Sequence, residues 1–187
     1  MSFSNKKNRY PTSILFAGIF VILIILVVIF SFAFLNYNIS EKRSETNEVR
    51  TITVNGVSYI FNTNLREVIK IPAANETEIK NIFDRSERIC ITFDNSSRED
   101  NAAFMVASFN TVYKTIVYYK SKGMEKKIEA CDDTPRIEFR GPNTGARGTA
   151  VSLLDSNTIL VQGITAKDVE KAADRLILII FGISEIQ

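Results

Sequence analysis

The chain has 187 residues, 45% apolar and 24% charged, ordinary values for a globular protein, and it contains no histidine. That removes the commonest general base and the commonest zinc ligand. Lys6, Lys7 and Arg9 are the only charges in the first forty residues, so the 23 basic groups less these three leave 20 against 21 acidic ones. A balance so near neutral has no electrostatic footprint for a polyanion, which argues against nucleic acid as a partner.

The first element is residues 1–13, a short basic tail. From Ile14 to Leu35 there is no charged residue, and 22 positions make a helix of roughly 33 Å, the thickness of a bilayer's hydrocarbon core. Tyr10 and Tyr37 flank the run where amphipathic rings favour the headgroups, and Pro11 sits just ahead of it. The expectation is a transmembrane helix over 14–35. Ser31-Phe32-Ala33 leaves a cleaved signal peptide as an alternative, although the apolar run is longer than such signals use. Lys42, Arg43 and Arg50 follow the helix and tie the basic-residue count. The short, wholly basic tail then places residues 1–13 in the cytoplasm and the remainder outside. Three sequons, at Asn38, Asn75 and Asn95, would be glycosylation acceptors on that side.

Residues 36–49 are polar and read as a linker, leaving 50–187 as one extracytoplasmic domain. Its first signal is TITV-NG-VSYIF, a hairpin turning on Asn55-Gly56. A short helix over Leu65–Lys70 stops at Ile71-Pro72. Asn75 and Glu78 have the spacing of a capping box for a helix running to Arg85, a use that competes with glycosylation of Asn75. Arg88–Phe93 reads as a buried strand. Ser97 or Asp100 opens a long helix that Gly123 closes. Within that helix Ala102, Val106, Phe109, Val112, Tyr113, Ile116 and Val117 recur three and four apart, and this face is expected to meet the core. Lys120–Lys127 reads as a solvated helix end. Pro135–Arg140 gives another strand, so 88–140 is a strand–helix–strand unit, expected to be parallel. Thr149–Leu154 and Thr158–Gln162 form a second hairpin. Thr165 caps a last helix presenting Val169, Ala172, Ala173, Leu176 and Ile180. The fold class is therefore α/β, with α+β as its alternative: a mixed sheet, packed helices and a βαβ unit behind an N-terminal transmembrane helix.

Candidate sites are few. Gly141-Pro142-Asn143-Thr144-Gly145-Ala146-Arg147-Gly148 is glycine-rich, and its backbone N–H groups, with Arg147 beside them, could cradle an anion or contact a partner. A strand rather than a helix follows, which suits a wide connection between strands equally well. Cys90 and Cys131 are the only cysteines; in an exported domain they form a candidate disulfide, and a buried free thiol at Cys90 is the competing reading. Asp132, Asp133 and Glu138 are the carboxylates a hydrolase would use, but the spacing of a calcium loop is missing. No motif calls for a cofactor or metal.

The stretch RIEFRGPNTGARGTAV followed by NTILVQGITAKDVEKAADRLILIIFGI, residues 136–183, resembles the end of small archaeal membrane-anchored envelope proteins with an S-layer-like segment. The resemblance implies an envelope setting and no activity. Together these readings lead to a non-enzymatic, single-pass envelope protein that contacts the bilayer and a protein partner, by scaffolding or as an accessory subunit. An envelope-polymer hydrolase and a pilin-like subunit are the alternatives.

Overall fold

The computed structural model describes residues 48–93, 97–129, 131 and 135–186. The basic tail, the 14–35 run, most of the linker, and Asn38, Asn95, Asp132 and Asp133 lie outside them. Among the described residues no helix is long and apolar enough to cross a membrane.

The chain enters as a hairpin. Strands β1 (Thr51–Val54) and β2 (Val57–Ile60) pair antiparallel across Asn55 at φ 52° and Gly56 at φ 76°. Two consecutive positive φ angles make the turn whose twist matches its strands, and Asn-Gly adopts them at low cost. Helix α1 (Leu65–Val68) follows, capped by the Asn64 side chain, which accepts from the Arg66 N–H. Helix α2 (Glu76–Arg85) begins at Asn75, but the expected capping box does not form. Asn75 sits in the left-handed region at φ 60°, and its side chain makes no cap hydrogen bond. A side-chain cap needs extended backbone at that position to aim its oxygen at the first turn.

The five remaining strands form one sheet. Strand β3 (Arg88–Phe93) leads into helix α3 (Arg98–Ser121), then β4 (Lys127–Ile128) and β5 (Arg136–Arg140). Strands β6 (Ala150–Leu153) and β7 (Thr158–Gln162) close a hairpin before helix α4 (Ala166–Phe181). The spatial order is β4-β3-β5-β7-β6. β3, β4, β5 and β7 run parallel and β6 antiparallel, so the expected parallel strand–helix–strand unit is present. The free side of β6 is covered: Val151 N donates to Pro72 O and Ala74 N to Val151 O, which removes an open edge.

Alternation along the strands divides the sheet into two faces. Ile89, Ile137, Phe139, Val151, Ile159 and Val161 point into a single apolar cluster shared with the helices. Thr92, Arg136, Glu138, Arg140, Ser152 and Gln162 lie on the other face and stay half-exposed. The architecture is the expected mixed sheet with helices packed on it.

Helix α4 is the centre of the core. Its cap is the one expected: Thr165 Oγ1 accepts from Asp168 N at 3.1 Å and donates to the Asp168 carboxylate at 2.7 Å. The face Val169, Ala172, Ala173, Leu176 and Ile180 is fully buried, and so is every residue from Ala172 to Phe181. Gly163 lets β7 run this close to the helix, since a Cβ there would stand 2.2 Å from the Val169 nitrogen.

Helix α3 corrects the sequence expectation. Its buried residues are Asp100, Ala103, Phe104, Ala107, Thr111, Lys114, Thr115, Tyr118 and Tyr119. On the face expected to meet the core, Val106 is 43% exposed, Phe109 71% and Tyr113 58%, and Ala102 is exposed as well, while Val112 and Ile116 are half-buried and Val117 packs against the core. The core takes a neighbouring stripe on which Lys114 finds a buried partner: its Nζ lies 3.9 Å from Asp174 Oδ1 of α4.

Candidate functional site

Parallel strands leave a crevice outside their carboxyl ends, where α/β proteins commonly hold ligands. Here β3 ends at Phe93, β5 at Arg140 and β7 at Gln162. The 141–149 connection and the first turns of α3 and α4 therefore gather at this edge. A cleft of about 330 Å³ opens there, lined by Thr92, Phe93, Glu138, Phe139, Arg140 and Thr144.

The glycine-rich loop does hold an anion, and the anion belongs to the protein. Asp100, in the first turn of α3, is 3% exposed. Its Oδ2 accepts from Asn143 N at 3.0 Å and from Thr144 Oγ1 at 3.3 Å, and its Oδ1 accepts from Asn143 Nδ2 at 3.1 Å. Gly141 N donates in turn to Thr144 Oγ1 at 2.8 Å. The carboxylate presses so close that a Cβ on Gly141 would meet Oδ2 at 2.6 Å. Gly145 takes the left-handed φ of 90° that brings the loop round. Arg147 N reaches Gln162 Oε1 at 3.3 Å, and the Arg147 side chain remains exposed. Of the loop residues singled out in the sequence, Gly141, Asn143 and Thr144 serve this internal bond, and Gly145 and Arg147 shape or flank it. The donors of Gly141, Asn143 and Thr144 are satisfied, which favours the structural reading for that part of the loop.

Sequence reasoning missed Asp100 as the loop's partner. Its local role was legible: Ser97 Oγ accepts from the Asp100 N–H at 3.2 Å as the helix cap. Its bond to residues 43 positions away had no local signal.

The carboxylate chemistry is similarly occupied. Arg140 Nε donates to Glu138 Oε1 at 2.7 Å and Arg140 Nη2 lies 2.6 Å from the same oxygen. An acid held by a guanidinium on its own strand is poorly placed to shuttle protons. Among the described residues no group of three or more metal-ligating side chains comes together. Cys90 and Cys131 are joined as a disulfide with Cα atoms 5.2 Å apart, which ties β3 to the segment ahead of β5.

Two further polar clusters are internal. Thr63 Oγ1 donates to Asp174 Oδ2 at 2.5 Å, with Lys114 on the other carboxylate oxygen and 4.4 Å above the Phe61 ring. Burial pushes the Asp174 carboxyl up to about 6, against the opposing pull of Thr63 and Lys114. Burial likewise lowers Lys114. At the far end of α3, the expected solvated lysine patch is partly buried: Lys126 is 5% exposed. Its Nζ lies 4.2 Å from the Tyr119 ring centroid and donates to the Phe83 and Ser86 carbonyls, capping the end of α2. Nearby, burial would raise the Asp84 carboxyl, but Lys80, the Tyr119 hydroxyl and Lys122 together hold it below its usual range.

Compared with known protein families, curated proteins and solved structures, the chain matches none. What the geometry defines on its own terms is a disulfide-bridged domain of mixed α and β structure. Asp100, Asp174 and Glu138 are engaged in internal bonds, and a row of exposed apolar side chains lies on the outer side of α3.

Proposed function

We propose that the protein is a single-pass, membrane-anchored envelope protein whose C-terminal domain stands outside the cytoplasm and works by binding. It acts as a scaffold or accessory subunit rather than as an enzyme. The observation that carries this reading is the Cys90–Cys131 bridge, because disulfides persist in oxidising compartments and are rare in the cytosol. The charge-free run Ile14–Leu35 behind a basic tail supplies the anchor and its direction. The pairing of Glu138 with Arg140 and the enclosure of Asp100 and Asp174 favour binding over acid–base catalysis. An archaeal envelope setting, implied by the resemblance of residues 136–183, belongs to the same proposal.

Protease added to intact cells, combined with carbonate washing of their membranes, tests the reading. The full-length chain is expected to stay in the washed membrane pellet and to lose its C-terminal domain to protease from outside. A domain degraded only after lysis, or a full-length chain released by carbonate, would refute it.

A further inference from the structure

The outer side of α3 is the largest unexplained feature of the domain. From Ala102 to Val117 the helix contains one charged residue, Lys114, and that residue is buried. Met105, Val106, Phe109 and Tyr113 keep 66, 43, 71 and 58% of their surface exposed. The Phe109 and Tyr113 rings stack on one another, 6.3 Å apart and 6° from parallel. Ile116 carries the stripe on into a cleft of about 430 Å³ that it shares with Lys120, Gly123 and Met124. A stripe of this kind on a soluble helix face calls for a partner.

We infer that this face pairs with the same face of a second copy of the chain, α3 against α3, antiparallel about a two-fold axis near Thr111. The sequence of the stripe carries the inference. Ala102, Val106, Phe109, Tyr113, Ile116 and Lys120 are spaced symmetrically about position 111. Reversing the helix therefore lays Phe109 on the partner's Tyr113, Val106 on the partner's Ile116, and Ala102 opposite the partner's Lys120. Aromatic meets aromatic at the centre. β-Branched side chains meet on either side, and at each end an alanine leaves room for a lysine stem. No charge is buried unpaired, and an isologous contact of this kind closes after two copies.

The area is consistent with that occupant. The four most exposed side chains, with Met105 flanking the paired stripe, offer roughly 500 Å² per copy, or about 1,000 Å² for the pair when all are covered, the area of a weak interface rather than a stable one. An interface of this size suffices when the two chains meet at raised effective concentration; to that extent the inference rests on the membrane-anchor reading. A lipid surface suits the stripe less well. Helices that lie in a headgroup layer flank their apolar face with Lys and Arg, and between Ala102 and Val117 this face has none exposed.

The test uses two differently tagged copies of the full-length chain expressed together, solubilised in mild detergent, and scored by co-purification. The wild-type copies are expected to co-purify. Phe109→Lys alone and Tyr113→Glu alone are each expected to weaken co-purification by more than about 30-fold, as for aromatic anchors at the centre of an interface. One copy carrying F109K and the other Y113E should recover it, because the antiparallel register sets the new lysine against the new glutamate. The thermal midpoint of each variant, expected to match wild type at such exposed positions, separates loss of pairing from loss of folding. Wild-type copies that do not co-purify, single variants that pair as well as wild type, or a mixed pair without recovery would each overturn the inference. So would capture of a different protein, or binding to phosphatidylglycerol vesicles, through the same residues in place of self-pairing. Carbonate extraction of the same membranes reports separately on the anchor: a released chain that still self-pairs fails the anchor reading and keeps this one.

Discussion

Helices α3 and α4 lie against each other in one core, yet they spend their apolar residues differently. In α4 every side chain from Ala172 to Phe181 is buried, including Asp174 and Arg175. In α3 a buried stripe containing Thr111, Lys114 and Thr115 backs onto an exposed stripe containing Met105, Phe109 and Tyr113. Hydrophobic periodicity locates a face on a helix; what covers the face is decided elsewhere in the chain. For α4 it is the sheet and the other helices. For α3 the more polar stripe goes inward, where α4 offers Asp174 to its lysine, and the more apolar stripe stays exposed.

The largest effects that sharpen this contrast lie in α4. Leu176→Ala removes a fully buried side chain and should cost about 3–4 kcal/mol. A thermal or denaturant melt of the full-length protein, followed by its tyrosine near-ultraviolet signal, would read this. An unshifted midpoint would mean that α4 is not the centre of the core. Next comes Gly163→Ala, which would drive a Cβ into the first turn of α4 and should cost about 2–3 kcal/mol; wild-type stability in that variant would deny the close approach of β7.

Of similar size to the second is the pH dependence carried by the contact between the two helices. Burial lifts Asp174 from its usual 3.8 to about 6, with Thr63 and Lys114 opposing and Glu170 adding. A carboxyl raised in the folded state favours folding while protonated. Its contribution is therefore complete below about pH 4, falls as pH rises through about 6, and is flat above that. Melting between pH 4 and 7 should show a decline of about 2–3 kcal/mol that Asp174→Asn abolishes. A slope unchanged in D174N would assign it to another group. The smallest effect is expected from Phe109→Ala, within about 0.5 kcal/mol of wild type in folding stability because the ring is mostly exposed. A loss of several kcal/mol there would reverse the comparison.

How much of this the sequence disclosed follows the range of the interactions. The Asn55-Gly56 turn, the bounds of β3, the Ser97 and Thr165 caps and the apolar face of α4 depend on neighbours a few residues apart, and they were legible. The shifted face of α3 was not, because Lys114 reads as an outward residue until it meets Asp174, sixty positions on. The glycine-rich loop allowed an anion cradle or a structural connection, and the Asp100 carboxylate that its donors meet lies 43 positions away and is recognisable only in three dimensions. Asn75 misled for a subtler reason: residue type and spacing suited a cap, and a left-handed backbone turned the side chain away. Cys90 and Cys131 allowed two readings that only proximity could separate.

The central claim is that an anchored domain folds outside the cytoplasm with its cysteines joined. It is tested most directly on the full-length protein in its own membranes, by quenching cells in acid, blocking free thiols and mapping peptides without reductant. The account predicts a carbonate-resistant chain that yields one peptide pair linked through Cys90 and Cys131. A chain found in the carbonate-soluble fraction with both cysteines carrying the blocking reagent would contradict it.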